Sequence, residues 1–272
     1  MLEVLNNGVS SEIDYFEEIA VELNKLDLPW DLSLVFCPAK DTLPPSRFRK
    51  IVFVSSQENH SAKDCTSEAA DVLLTFRNYY PLTSHNNPRL RPLPLGYQAG
   101  FRPVLPLKPC SQRPLDYFWA GAINCNRIPL QKALDLYQLR NTRGKVIWYD
   151  GWSAGSPRDE YAQILADSKI IFAPRGWVSP ESSRYFEAVL SGCVIISEPK
   201  PNYWYYEQPP YLWPGHWELL PQFLDQLLAD PQLLDEIQHY TLRYWERCCA
   251  PSVVARYVRH ELELLLGGPS RG

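Results

Sequence analysis

No stretch of this sequence reaches the roughly 18 uninterrupted apolar residues a membrane-spanning helix needs. The opening MLEVLNNGVSSEIDYF has no basic flank leading into an apolar core. The expectation is a cytoplasmic protein with no transmembrane segment. The seven cysteines, at 37, 65, 110, 125, 193, 248 and 249, are odd in number and contain no Cys-x-x-Cys pair. That argues for reduced thiols and against a disulfide framework or a zinc site. A basic stripe is missing too: with a net charge of -4, nucleic acid is excluded as a partner unless basic charge is strongly local. Internal repeats and low-complexity tracts are absent.

Proline and aromatic residues are what the chain has in abundance, 25 prolines and 13% Phe, Trp and Tyr. Prolines spread between apolar segments imply many short connections in a compact fold. Aromatics in such number imply either a heavy core or a carbohydrate-facing surface.

Apolar periodicity predicts strands at Leu2 to Leu5, Leu32 to Phe36, Ile51 to Val54 and Val72 to Phe76, with a proline-interrupted edge strand from Leu90 to Leu95. It predicts helices from Ser11 to Lys25 and around Thr66 to Ala70. Gly96 to Pro114, with four prolines and little periodicity, reads as a linker. The pattern then restarts. Strands are expected at Tyr117 to Ala120, Lys145 to Tyr149, Ile170 to Phe172 and Val194 to Ile196. Helices are expected at Pro129 to Leu139, Arg158 to Ala166 and from Ser182 to Leu190. Helices near Leu219 to Leu228, Pro231 to Glu246 and Ser252 to Leu265 close the chain. Strands alternating with helices define an α/β class with parallel sheets wound by right-handed crossovers, in two similar halves.

In such sheets ligands bind outside the carboxyl ends of the strands, and anions favour helix N-termini. The loops GAINCNR, DGWSAGS and PRGWVSPESSR fall at those ends in the second half. Arg127, Arg175 and Arg184 could clamp a diphosphate, because a guanidinium offers paired donors to phosphate oxygens. Glu187, one turn after Arg184, could accept bonds from ribose hydroxyls or simply pair with Arg184 on the surface. Ser179 or Ser182 would cap this helix, with Glu181 in its first turn.

Residues Ser182 to Ile195, SSRYFEAVLSGCVI, resemble the donor-site helix of exostosin-like glycosyltransferases. Val72 to Pro81, VLLTFRNYYP, with LPLGYQAGF after it, and Phe118 to Arg127, FWAGAINCNR, resemble segments of the same GT-B group, including ribitol xylosyltransferase-like members. The likeness is at the level of motifs, over about Ile51 to Ser197. It implies two Rossmann-like domains facing a central cleft: an acceptor domain at 1–100, a nucleotide-sugar donor domain at 101–250, and a last helix at 251–272 crossing back to the first domain. It implies transfer from a nucleoside-diphosphate sugar, UDP-linked by preference, to a hydroxyl of a glycan or other small acceptor, with inversion. A lipid-linked acceptor would bring peripheral membrane association.

The implied donor set is Asn124, Arg127, Arg175, Gly176, Ser182, Ser183, Arg184 and Glu187. No Asp-x-Asp occurs in the sequence, so arginines and helix N-termini would neutralise the leaving diphosphate, with no metal or other cofactor. The base would come from SSQENH after the third strand, Glu58 first and His60 beside it, with Asp64 and His85 in reserve. Retaining members of the larger family have two Glu separated by seven residues, whereas Glu181 and Glu187 are separated by five. Glu187 matches the second of that pair; Glu181 is not assigned the role of the first.

Two other readings compete. GWSAG, Gly151 to Gly155, matches G-x-S-x-G, which would make Ser153 the nucleophile of a hydrolase with Asp225 and His239 or His260. Against it, the following helix starts only after Pro157 and no HGGG-type segment precedes. In the transferase reading the same loop borders the nucleotide, with Trp152 near the base. The second alternative is a GT-B scaffold that binds a nucleotide sugar or glycan without turnover. The aromatic run Tyr203 to Trp217 is read as packing ahead of a sugar-stacking platform.

Overall fold

The computed structural model describes residues 1–39, 42–55, 69–79, 87–151 and 156–267. They divide into two compact units, one made of residues 1–99 with 248–267 and the other of residues 100–247.

In the first unit, β1 (Leu2–Asn6), β2 (Leu32–Pro38), β3 (Arg49–Ser55), β4 (Val72–Arg77) and β5 (Leu90–Pro92) pair in chain order, every pair parallel. β5 is shorter than the expected Leu90 to Leu95, since Pro92 and Pro94 have no N–H to continue a ladder. The helix expected around Thr66 to Ala70 falls largely outside the described residues. Register aligns Phe36 with Phe53 and Phe53 with Phe76, a row of rings across three strands. Onto that row pack Phe16 from α1 (Ile13–Asn24) and Tyr257 from α7 (Pro251–Leu266).

Alternation sends Val35, Val52 and Val54 to the opposite face, where they form a second cluster with Cys37 and Val72. α1 buries Phe16, Ile19, Ala20 and Leu23, spaced as one helical face. Each of its large apolar side chains contributes roughly 1.5–3 kcal/mol of burial. α7 is fixed to this unit by the Tyr15 hydroxyl donating to the Cys249 carbonyl (2.6 Å), by Arg259 donating to the Leu26 carbonyl (3.0 Å), and by an Arg91–Glu261 ion pair.

The second unit contains β6 (Leu115–Ala122), α2 (Ile128–Gln138), β7 (Gly144–Tyr149), α3 (Arg158–Ala166), β8 (Ser168–Phe172), α4 (Ser183–Leu190), β9 (Val194–Ile196), β10 (Tyr211–Leu212), α5 (Leu220–Leu228) and α6 (Pro231–Tyr244). Its sheet is ordered β10-β9-β8-β6-β7, all parallel. The chain steps from β6 to β7, then returns past β6 to β8, so the strand order reverses between β6 and β8. One face, with Tyr117, Trp119, Ile170, Phe172, Val194 and Ile196, packs on α2 and on α5 (Leu220–Leu228). Phe118 points the other way, to Tyr161 of α3. Right-handed crossovers in opposite directions put helices on both faces.

At the amino edge of this sheet the fully buried Asp116 is paired with Lys169 (2.8 Å) and Arg143 (2.7 Å). β10 was not foreseen: two residues between prolines give no strand pattern. Tyr203, Tyr205, Tyr206 and Trp217 are buried, so the aromatic run packs rather than presents a platform. Among the described residues no helix is long and apolar enough to cross a membrane.

Candidate functional site

Loops leaving β6 and β8 flank the point of reversal, the position where ligands enter open α/β sheets. The β6 loop is short. β6 ends at Ala122, and a single turn over Cys125–Arg127 leads into α2, whose first turn contains Pro129. The β8 loop runs from Ala173 to Ser182 and opens α4. Asn126 joins the two, its side-chain amide donating to the carbonyls of Gly176 (2.9 Å) and Trp177 (2.7 Å).

Asn124 has extended backbone and is only 6% exposed, and neither side-chain amide atom has a hydrogen-bond partner among the described residues. Buried polar groups are ordinarily satisfied, so an amide with both of its atoms unpaired calls for an explanation at the site. Arg127 is buried (2% exposed) and donates from Nη1 to the Ala122 carbonyl (3.0 Å) and from Nε to the Arg175 carbonyl (3.3 Å). It ties the two loops together. Arg175 is exposed; its N–H donates to Glu198 (2.8 Å) and its Nη2 to the Val178 carbonyl (3.1 Å). Gly176 is buried, its N–H bonded to the Ser179 carbonyl (2.8 Å).

Ser182 is the N-cap residue of α4 and Ser183 its first helical residue, yet no side chain among the described residues caps the helix. The early amides of α4 are therefore not taken up by a cap. Arg184 and Arg127 both lie over the Trp119 ring, 5.2 and 5.4 Å from its centroid. Gly121 permits this: a Cβ there would meet the Trp119 ring at 2.6 Å and Arg184 Nη2 at 3.2 Å.

Glu187 is 2% exposed and hydrogen-bonded by the Tyr161 hydroxyl, so the surface pairing with Arg184 weighed from spacing is corrected to a buried carboxylate held by α3. Burial, then the Glu187 charge, pushes Tyr161 well above the usual tyrosine range and keeps it a donor.

Glu181 departs from its reading as a residue of the first helical turn. It precedes the N-cap, is buried, and accepts the Tyr205 (2.9 Å) and Tyr206 (3.3 Å) hydroxyls. Glu58 and His60, with Asp64, His85, Trp152 and Ser153, lie outside the described residues. Asp225 sits at the amino edge, bonded to Tyr137 (3.0 Å) and Arg140 (2.9 Å), whereas the segment holding Ser153 follows the carboxyl end of β7.

Sequence reasoning thus brought Asn124, Arg127, Arg175, Gly176, Ser182, Ser183, Arg184 and Glu187 to one corner of one sheet. It missed Trp119 and Gly121, which sit in the FWAGA run as an apparent plain strand, Asn126, which lies in the GAINCNR loop but was given no role, and Tyr161 and Glu198, which carry no motif.

No protein-family model matches the chain, and no curated protein is significantly similar to it. Solved structures are. A glycosyltransferase from Rickettsia africae ESF-5 matches with a TM-score of 0.56 at 11% identity, over 98% of each chain. An α1,3-fucosyltransferase matches at 0.50 and 10% identity, over 91% of this chain and 89% of that one. TarM matches at 0.50 and 8% identity, over 89% of this chain and 58% of that one. At such identities the likeness is one of fold: two Rossmann-like parallel sheets, as in GT-B glycosyltransferases.

Proposed function

We propose that this protein is a glycosyltransferase of the GT-B kind, taking a sugar from a nucleoside diphosphate, UDP by preference, to a hydroxyl of a glycan-type acceptor. The observation that carries the reading is Asn124: a buried amide with neither atom bonded, in the loop after β6, across the reversal of strand order from the loop that opens the uncapped α4. Such a corner accepts an anion bearing hydroxyls and amide-like edges. Arg184, Arg175 and the first amides of α4 take the diphosphate, Glu187 faces the ribose, and Asn124 bonds the nucleotide. Arg127 and Asn126 hold the two loops in register.

The leaving diphosphate is stabilised by these fixed positive groups without a divalent metal, consistent with a sequence that has no Asp-x-Asp. Glu58, or His60 next to it, takes the acceptor proton, and the transfer inverts. The resemblance of Ser182 to Ile195 supports a place in the exostosin-like group, and a lipid-linked acceptor would bring the protein to a membrane surface.

Calorimetric titration of UDP into the wild type and Arg184→Ala tests the site. Loss of roughly tenfold or more in affinity with an unchanged melting temperature is the expected result, and equal affinity removes the assignment. Release of free sugar from a UDP-sugar, undiminished by EDTA, separates an enzyme from a binding-only scaffold.

A further inference from the structure

Lys200 lies just beyond β9, and its ammonium reaches under the β8 loop. Nζ donates to the carbonyls of Pro180 (2.6 Å) and Ala173 (3.4 Å). Those two residues bracket the segment that carries Arg175 and Gly176. The face of the Tyr185 ring from α4 lies 5.4 Å from Nζ. From the loop, the Glu181 carboxylate reaches it electrostatically, itself bonded to Tyr205 and Tyr206; from its own segment, so does Glu198. The Tyr211 hydroxyl accepts the Lys200 backbone N–H (3.3 Å). Glu198 supports the same loop, accepting the Arg175 N–H (2.8 Å) and the Trp217 indole N–H (3.0 Å). The stem of Lys200 is partly exposed, and the charged end is the part enclosed.

We propose that Lys200 is a positioning residue for the β8 loop, its Nζ clamping both ends of Ala173–Pro180 so that Arg175, Gly176 and the start of α4 keep their places. The clamp deepens the proposed donor site but does not depend on what that site binds. It is also linked to protons. Burial pulls the Lys200 amine down to about 8, against the opposing pull of Glu198 and Glu181. When the loop opens, the amine regains water and its ordinary affinity for a proton. Protonation therefore favours the open loop, and the closed loop gains as pH rises through about 8.

Tryptic cleavage of the Arg175–Gly176 bond in the full chain, followed by mass spectrometry, reads the opening directly. Its rate is divided by that of an unstructured peptide of the same sequence, which cancels the pH dependence of trypsin. For the wild type this ratio should fall about tenfold between roughly pH 7 and pH 9. In Lys200→Met the pH dependence should be lost and cleavage near pH 9 should be about tenfold faster than in the wild type, since the two carbonyls lose their donor. A wild-type ratio that is flat or rises with pH overturns the proposal, and that measurement stands even if Lys200→Met does not fold. UDP bound by Lys200→Met with wild-type affinity overturns it as well. If the wild type shows the pH profile but binds no UDP, the donor reading fails and the clamp remains.

Discussion

The two units use the same parallel strands and arrange them differently. In the first, strands follow chain order from β1 to β5, and at the carboxyl end of β3 Glu12, ahead of α1, is buried and accepts the Ser55 hydroxyl (2.6 Å). In the second, the order reverses between β6 and β8, and around that point lie the exposed Arg175, the half-buried Arg184 and a buried Asn124 whose amide is unbonded among the described residues. A reversal splays the loops on its two sides in opposite directions and leaves a crevice that sequential winding does not. Topology, before any side chain, decides which described edge can take a ligand.

The second unit also divides its own labour between edges, and the largest effect tests that division. Asp116→Ala should cost about 3–5 kcal/mol of stability in denaturant unfolding, because it strands buried Lys169 beside a lost partner. The carboxyl edge should behave oppositely, with Arg184→Ala weakening UDP by about 1.4 kcal/mol or more at little cost in stability. A variant that reversed these two signatures would break the assignment of binding to one edge and stability to the other. Gly121→Ala, which pushes a methyl into Trp119 and towards Arg184, should cost about 1–3 kcal/mol and disturb UDP affinity together, read by melting and titration on one sample.

A smaller change sharpens the contrast from the first unit. Burial raises the Glu12 carboxyl above its ordinary pKa, with the Ser55 bond opposing. The folded state then binds the proton more tightly than the unfolded one, so stability contributed by Glu12 is present at low pH and declines as pH rises past the ordinary carboxylate range. Glu12→Gln should therefore raise the melting temperature near pH 7.5, by a margin that shrinks towards about pH 4, and should leave UDP affinity alone. Loss of UDP binding in that variant would mean the first unit's edge also takes part. The mildest probe is chemical: of the six described thiols, Cys125 is the exposed one, while burial pushes Cys110 up to about 12 and raises Cys193. Cys125 should be the fast-reacting thiol among them, slowed by UDP in proportion to occupancy.

Much of this was readable in advance. β-branched runs and helical spacing predicted both sheets, and the helix from Arg158 to Ala166 matches residue for residue. Polar loops after apolar strands pointed to the right corner, because carboxyl-edge loops are where an α/β chain can afford unpacked polar residues. What escaped were contacts set by tertiary packing. Gly121 needs its ring and guanidinium neighbours before its missing Cβ has meaning, and Lys200 looks like a surface lysine until its two carbonyl partners are in view. Glu181 and Glu187 differ for the same reason: each is buried, yet one is held by tyrosines from the aromatic segment and the other by α3, which spacing along the chain cannot distinguish.

The row of rings in the first unit has a consequence for biosynthesis. Tyr257 completes the cover over Phe76, and α7 supplies Val254, Val258 and Leu262 to the same core, although the whole of residues 100–247 comes off the ribosome in between. The nascent first unit must wait on the order of ten seconds with one apolar face uncovered, while the second, contiguous in sequence, can complete itself first. A ribosome stalled before α7 should therefore display a folded second unit beside an aggregation-prone, chaperone-binding first one.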